Sequence, residues 1–267
     1  MKAQPGSSSE PRDPEPRTGD SQATKRMAAL SPRTKARMAG GFQFLEGLTS
    51  PFGQVVVLGR LVVGNAATTA ANILAHEPLF WAGFASSLIA VAFHIAWAFL
   101  LYDLLKPVNR SISLLALCII LVGCAMQALS SLLYLAPLLV LQAGSTLSAF
   151  TPQQVQDLSL LFLKLNAQAY DIYLVFFGLW CVLIGSLIFR SIFLPRILGV
   201  LLAIDGLGWM LYLVPPLAQH LFPLIAVTAG LAEFPLLLWL LVVGVNAERW
   251  KEQEAVAGAS LRTGMRS

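Results

Sequence analysis

The sequence predicts an all-α polytopic membrane protein, a bundle of six transmembrane helices, on three observations. Hydrophobic residues make up 57% of the 267 and charged residues only 12%, with a mean hydropathy of +0.71, far from soluble averages. The apolar residues fall into runs of the length a helix needs, about 20 residues, to cross roughly 30 Å of hydrocarbon. Turns carrying a proline and a cation separate some of these runs, as "KPVN" does within "LLYDLLKPVNRSISLLA", residues 100–116.

Residues 1–37 hold Pro5, Pro11, Pro14, Pro16 and Pro32 among Ser, Arg and acids, with no apolar core of the kind a secretory signal has. They are expected to form a disordered cytoplasmic tail. Residues 38–247 form the expected membrane domain, with spans at 38–58, 79–104, 112–140, 166–189, 195–215 and 223–245, and residues 248–267 form a cytoplasmic C-terminal tail. The first span is the weakest, because Glu46, Pro51 and several glycines interrupt it, and five spans are the alternative.

Charge separates the two counts. Cytoplasmic loops near span ends carry the Lys/Arg excess. The N-terminal tail has eight cations, the turns at 106–110 and 190–196 have two each, and the C-terminal tail has four. The other side has only Arg60 and Lys164. Sixteen of the eighteen cations thus share one side if there are six spans with both termini inside. A net charge of +4 distributed in this way forms no basic face, so no nucleic-acid partner is expected. The lipid bilayer is the expected environment.

Two connections on the opposite side have structure of their own. Residues 65–77, "NAATTAANILAHE", predict a short interfacial helix. Thr151-Pro152-Gln153-Gln154 predicts a capped helix start. From there to Phe189 a helix would run about 57 Å, longer than the bilayer, so residues 152–165 should project, bend along the surface or break near Asn166.

Ionisable residues inside spans are costly and are candidate functional groups. Counted from the inner span ends, His94, Asp205, Glu233 and Glu46 lie at roughly 15, 15, 18 and 12 Å, all near the midplane. Four groups from spans 1, 2, 5 and 6 would meet in one layer, a polar cavity for a proton, cation or small ligand. The competing reading has each facing a neighbouring helix. A second pattern, Asp157, Lys164, Gln168 and Asp171, keeps to one helix face and would form either the outer mouth of a pathway or the wet side of the projection.

No cofactor or metal is expected: the histidines lack ligand spacing, and Cys118, Cys124 and Cys181 read as small buried hydrophobes. No nucleophile elbow or phosphate loop is present, so an enzyme is not the expectation. The aromatic residues Trp209 and Trp250 read as anchors or packing, and Trp97, beside His94, as a cavity wall. The leading expectation is a membrane-embedded small-molecule or ion binding and transport unit of unknown ligand. The rival is a non-transporting assembly or stress-related protein, a homo-oligomer or the partner of another membrane protein, using Cys118, Gly123, Cys124, Ser130 and Ser131 as a contact surface.

Four stretches, "TAANILAHEPLF", "LLYDLLKPVNRSISLLA", "LVFFGLWCVLIGSLIFRSIFLPRILGVLL" and "EFPLLLWLLVVGVNAERW", resemble the uncharacterised bacterial integral-membrane family known as domain of unknown function 4386. The resemblance runs from about Met38 to Trp250. It implies a bacterial inner-membrane protein of six spans and carries no catalytic or binding residue with it. Within it Asp205 and His94 look atypical, which leaves Glu233 as the stronger member of the layer.

Overall fold

The computed structural model describes residues 30–264. Among these residues there is no strand, and the helices follow one another with short breaks. Helix α1, Pro32–Pro51, runs on through a π-helical stretch, Phe52–Val57, to Leu58–Leu61. It bends by 118° into the short α2, Ala66–Ala75. Then come α3 (Glu77–Leu105), α4 (Arg110–Leu141), α5 (Pro152–Arg190), α6 (Arg196–Met210), α7 (Pro215–Leu238, continuing as a π-helical stretch, Trp239–Val243) and α8 (Ala247–Gly264). Helices α3 to α7 are long and apolar enough to cross a membrane, and α1 with α2 makes a sixth, broken span.

Local chemistry sets several of the helix starts. Asn65 and Asn109 each accept a hydrogen bond from a backbone N–H three residues on, at 2.8 and 2.9 Å. Thr151 and Gln154 cap each other's backbone N–H groups at 3.3 and 2.8 Å, with Pro152 at the first helical position. The two π-helical stretches follow prolines at 51 and 235. A proline has no N–H for the carbonyl four residues earlier and crowds it, and a widened turn relieves that crowding.

Helix α5 is the central post, packed on α4, α6 and α2. Its contact with α6 is a backbone approach. Gly178 faces Gly206 and Gly185 faces Gly199, so closely that an added Cβ at Gly185 would sit 2.6 Å from the Gly199 carbonyl. The α5–α6 contact aims Asp205, next to Gly206, inward.

The turn at 106–110, the α5–α6 turn and both ends of the domain gather at one end of the bundle, here the basic end. There Asp103 binds Lys35 and Lys106, and Lys35 is only 6% exposed. Helix α8 closes this end: the Trp250 indole donates to the Leu104 carbonyl at 2.8 Å, and Gln253 accepts from the Ile192 N–H at 3.1 Å. The larger apolar core fills the basic half with Trp97, Trp180, Leu101, Leu104 and Ile184 among others. A smaller one, around Phe80, Tyr134 and Leu163, lies toward the far end. Large apolar side chains such as Leu132, Ile197 and Leu231 cover the outside, as a lipid-facing surface requires.

Several expectations are corrected. Helix α1 starts at Pro32, so residues 32–37 are helical, and Lys35 and Ala36 are buried; the earlier part of the expected tail lies outside the described residues. Helix α5 does not break at Asn166. Its amide donates at 2.8 Å to both the carbonyl and the hydroxyl of Ser130, while Ser159 and Leu163 are buried, because α2 folds back against this part of the helix. Ser159 and Leu163 are therefore packed on this side, while Pro152, Gln153, Gln154 and Asp157 are exposed. Cys118 is exposed, unlike Cys124 and Cys181. Gly123, Cys124, Ser130 and Ser131 are buried within the chain, Gly123 against Phe176 and Ser130 paired with Asn166 of α5, while the Ser131 hydroxyl donates to the Gln127 carbonyl of its own helix. That surface is consumed inside the fold.

Candidate functional site

Five helices contribute to a polar layer partway along the bundle. Helix α1 carries Glu46 and, one turn before it, Gln43. The Gln43 amide donates to the backbone carbonyl of Glu233 on α7 at 3.2 Å, which ties the two helices together. Glu46 reaches toward α3, where its Oε1 lies 3.7 Å from His94 Nδ1. The same His94 nitrogen shares a hydrogen bond of 3.1 Å with the Tyr173 hydroxyl on α5. The imidazole is fully enclosed, with the rings of Trp97, Tyr173, Phe177 and Trp180 centred 5.1 to 5.9 Å away.

The second half of the layer belongs to α6 and α7. Glu233 Oε1 accepts from the Trp209 indole at 3.2 Å. Asp205, one turn before Trp209, lies beside the Glu233 carboxyl and the same indole. It is 0% exposed, and neither of its oxygens receives a hydrogen bond. Two carboxyls side by side in a low dielectric repel strongly unless a proton or a cation sits between them.

Glu46 and Glu233 face one cavity of about 330 Å³, with Gln43 and Trp209 as its other polar or aromatic walls and Phe44, Leu48 and Phe234 at its apolar side. Those three apolar side chains are exposed on the outside of the bundle, so the cavity opens sideways through the seam between α1 and α7. A larger cavity of about 650 Å³ lies farther from the basic end, lined by Pro51, Gln54 and Leu58 of α1, Lys164, Tyr170 and Asp171 of α5, and Trp209 and Tyr212. Trp209 is therefore a wall of both.

Interrupted hydrogen-bond ladders lie beside the cavities. Pro51 removes the bond that the Gly47 carbonyl would accept, and Gly47 lines the smaller cavity. Near Pro51 the Ser50 and Tyr170 hydroxyls share a bond of 3.0 Å, and Gln127 donates to Ser50 at 3.5 Å.

The midplane candidates Glu46, His94, Asp205 and Glu233 thus come together in two adjoining clusters. The stripe divides. Lys164 and Asp171 line the larger cavity, Gln168 donates to Asp171 at 3.4 Å, and Asp157 stands apart near the start of α5, bonded to Gln153 at 3.1 Å. No ion pair joins Lys164 to either acid among the described residues. Trp97 is no cavity wall but a core residue, 1% exposed, stacked edge-on to Trp180, and Trp250 is an internal donor to Leu104.

A family described as a domain of unknown function (DUF4386) matches residues 38–244. The chain belongs to it. No curated protein and no solved structure matches the chain. In this DUF4386 protein every member of the polar layer falls inside the matched stretch, whereas α8 lies beyond it. The chain is an integral membrane protein, all-α and polytopic. Three residues of the layer, Gln43, Trp209 and Tyr173, are not among the site candidates of the sequence, which reads Trp209 as an anchor or packing group. Trp209 lies one turn beyond Asp205, a spacing that puts both on one helix face, and this was a usable signal. Tyr173 carried none, since aromatic residues are common along apolar spans.

Proposed function

We propose that this protein is a membrane-embedded binding and transport unit for a positively charged species, with Glu233, Asp205 and Glu46 as the groups that hold it and His94 as a proton partner of Glu46. The observation that carries the reading is the placement of Glu46 and Glu233, from two helices that each carry an internal proline and a π-helical stretch, in one cavity with Asp205 buried behind them. π-Helical turns inside otherwise regular helices are frequent at functional sites. Buried carboxyls lacking donors suit a ligand that brings positive charge. The polar stripe enters at Lys164 and Asp171, which line the approach from the far end. The cation distribution supports cytoplasmic termini, which makes the larger cavity outward-facing, and the family resemblance is what points to a bacterial inner membrane.

Thiol accessibility tests the reading. In a variant lacking Cys118, Cys124 and Cys181, single cysteines at positions 46, 233 and 205 are treated in vesicles with a cationic and an anionic methanethiosulfonate. Positions 46 and 233 should react, faster with the cationic reagent, and position 205 should react slowly. If a cysteine at position 145 reacts while 46 and 233 stay silent, the cavity is closed to charged solutes and the reading fails.

A further inference from the structure

We infer that the larger cavity is the pocket for the apolar body of an organic ammonium ion, whose charged head reaches the Glu46 and Glu233 carboxyls past Trp209. This rests on the cation-binding reading above and names its ligand class.

Size comes first. At about 650 Å³ the cavity is of the class that encloses drug-sized molecules, and far larger than a desolvated inorganic ion needs. Its walls point the same way. Leu58, Leu163 and Leu174 supply hydrocarbon, and Tyr170, Tyr212 and Trp209 supply ring faces. An inorganic ion crossing such a lining would lose its hydration without replacement, whereas an alkyl or aryl body gains from it. Ring faces also attract ammonium groups.

The charges decide the sign of the head. Asp171 lies in this cavity, and Glu46 and Glu233 in the next. The single cation, Lys164, is an exposed residue at the start of the path. At the deep end the Trp209 N–H is already given to Glu233, and the Gln54 amide, which lines the cavity without a partner, offers a neutral donor but no positive charge. An anionic head would meet three carboxyls, and a cationic one would be matched by them.

Access fits a membrane-dissolved molecule. Val55 and Phe222 line the cavity and are exposed on the outside of the bundle, so this compartment also opens at the α1/α7 seam. An amphiphile partitioned in the leaflet would enter sideways, apolar body among apolar neighbours, with its head directed to the carboxyls.

Calorimetric titration of the full chain in zwitterionic nanodiscs tests this with four probes: octyltrimethylammonium, tetramethylammonium, octyl sulfate and sodium ion. Octyltrimethylammonium should bind, and octyl sulfate should not. Ala167→Trp fills the larger cavity from an exposed position. It should weaken octyltrimethylammonium at least about tenfold while leaving tetramethylammonium unchanged, and Glu233→Gln should weaken both. Thermal unfolding of each variant, with Ala167→Leu as a smaller filler, shows that the fold survives and that the effect scales with volume. Loss in Glu233→Gln with no effect of Ala167→Trp overturns the pocket for the body and leaves the carboxyl site standing. Equal binding of octyl sulfate overturns the ligand class, and ammonium binding unaffected by Glu233→Gln overturns both this inference and the reading it rests on.

Discussion

Asp205 is the residue whose placement costs most. It is fully enclosed and no donor reaches it, while the neighbouring Glu233 at least accepts from Trp209. A buried polar group without a partner costs about 1–3 kcal/mol, more when it carries charge, and groups kept at that cost are commonly functional. Asp205→Asn supplies an amide that can donate to Glu233. The expected result is a rise in thermal stability of about 1–2 kcal/mol in detergent, with loss of cation binding. A destabilised variant that still binds would make Asp205 a structural residue. The candidates Glu46, His94, Asp205 and Glu233 stand out as ionisable groups in apolar runs, and that they would share one layer was expected from counting residues. Which of them touch was not legible, since helical phase depends on the packed faces: only the fold shows that Glu46 turns to His94 and that Asp205 turns to Glu233.

Among the elements, the α5–α6 contact is the most sensitive to a single atom. A Cβ at Gly206 would fall 2.4 Å from the Gly178 carbonyl, and one at Gly185 2.6 Å from the Gly199 carbonyl, with backbone that cannot yield. Gly41 of α1, by contrast, has nothing within 4 Å. Gly185→Ala should destabilise by about 1–3 kcal/mol, while Gly41→Ala should stabilise by up to about 1 kcal/mol through helix propensity alone. Thermal unfolding of the two variants side by side checks this, and equal effects would mean that the helices do not approach so closely. Caps were readable here, since Thr151-Pro152 starts α5 where its residues said it would, whereas α7 starts at Pro215, ahead of the span expected from 223, and runs through Pro223. The π-helical stretches after Pro51 and Pro235 were not, because proline marks where a ladder is interrupted and leaves open how the chain accommodates it. The return of α2 onto α5 was hidden too, being a property of the 118° bend rather than of either segment.

For the molecule as a whole, the two halves differ in what they admit. The basic half is dense: Trp97, Leu101, Leu104, Trp180 and Ile184 fill it, and α8 with the Lys35–Asp103–Lys106 cluster closes its end. Both site cavities lie beyond that core, on the α1/α7 seam. On the proposed transport reading the chain stands open toward the far side and the lipid, and release to the basic side needs α1 and α7 to move at their π-helical stretches, where the hydrogen-bond ladder is already loosened. Two measurements bear on it together. Reporter fusions at 108 and 193 should lie on one side of the membrane and a fusion at 145 on the other. In the cysteine-free background, a thiol at position 64, which lines the larger cavity, should react with a membrane-impermeant reagent from the 145 side, while thiols at 101 and 104 should resist reagent from either side. Octyltrimethylammonium trapped by a membrane gradient should then expose 101 to the basic side if the protein alternates. Persistent protection at 101 under turnover would make the chain a one-sided binding protein. Reaction at 101 without any ligand would mean that the basic half is not the dry plug its packing describes.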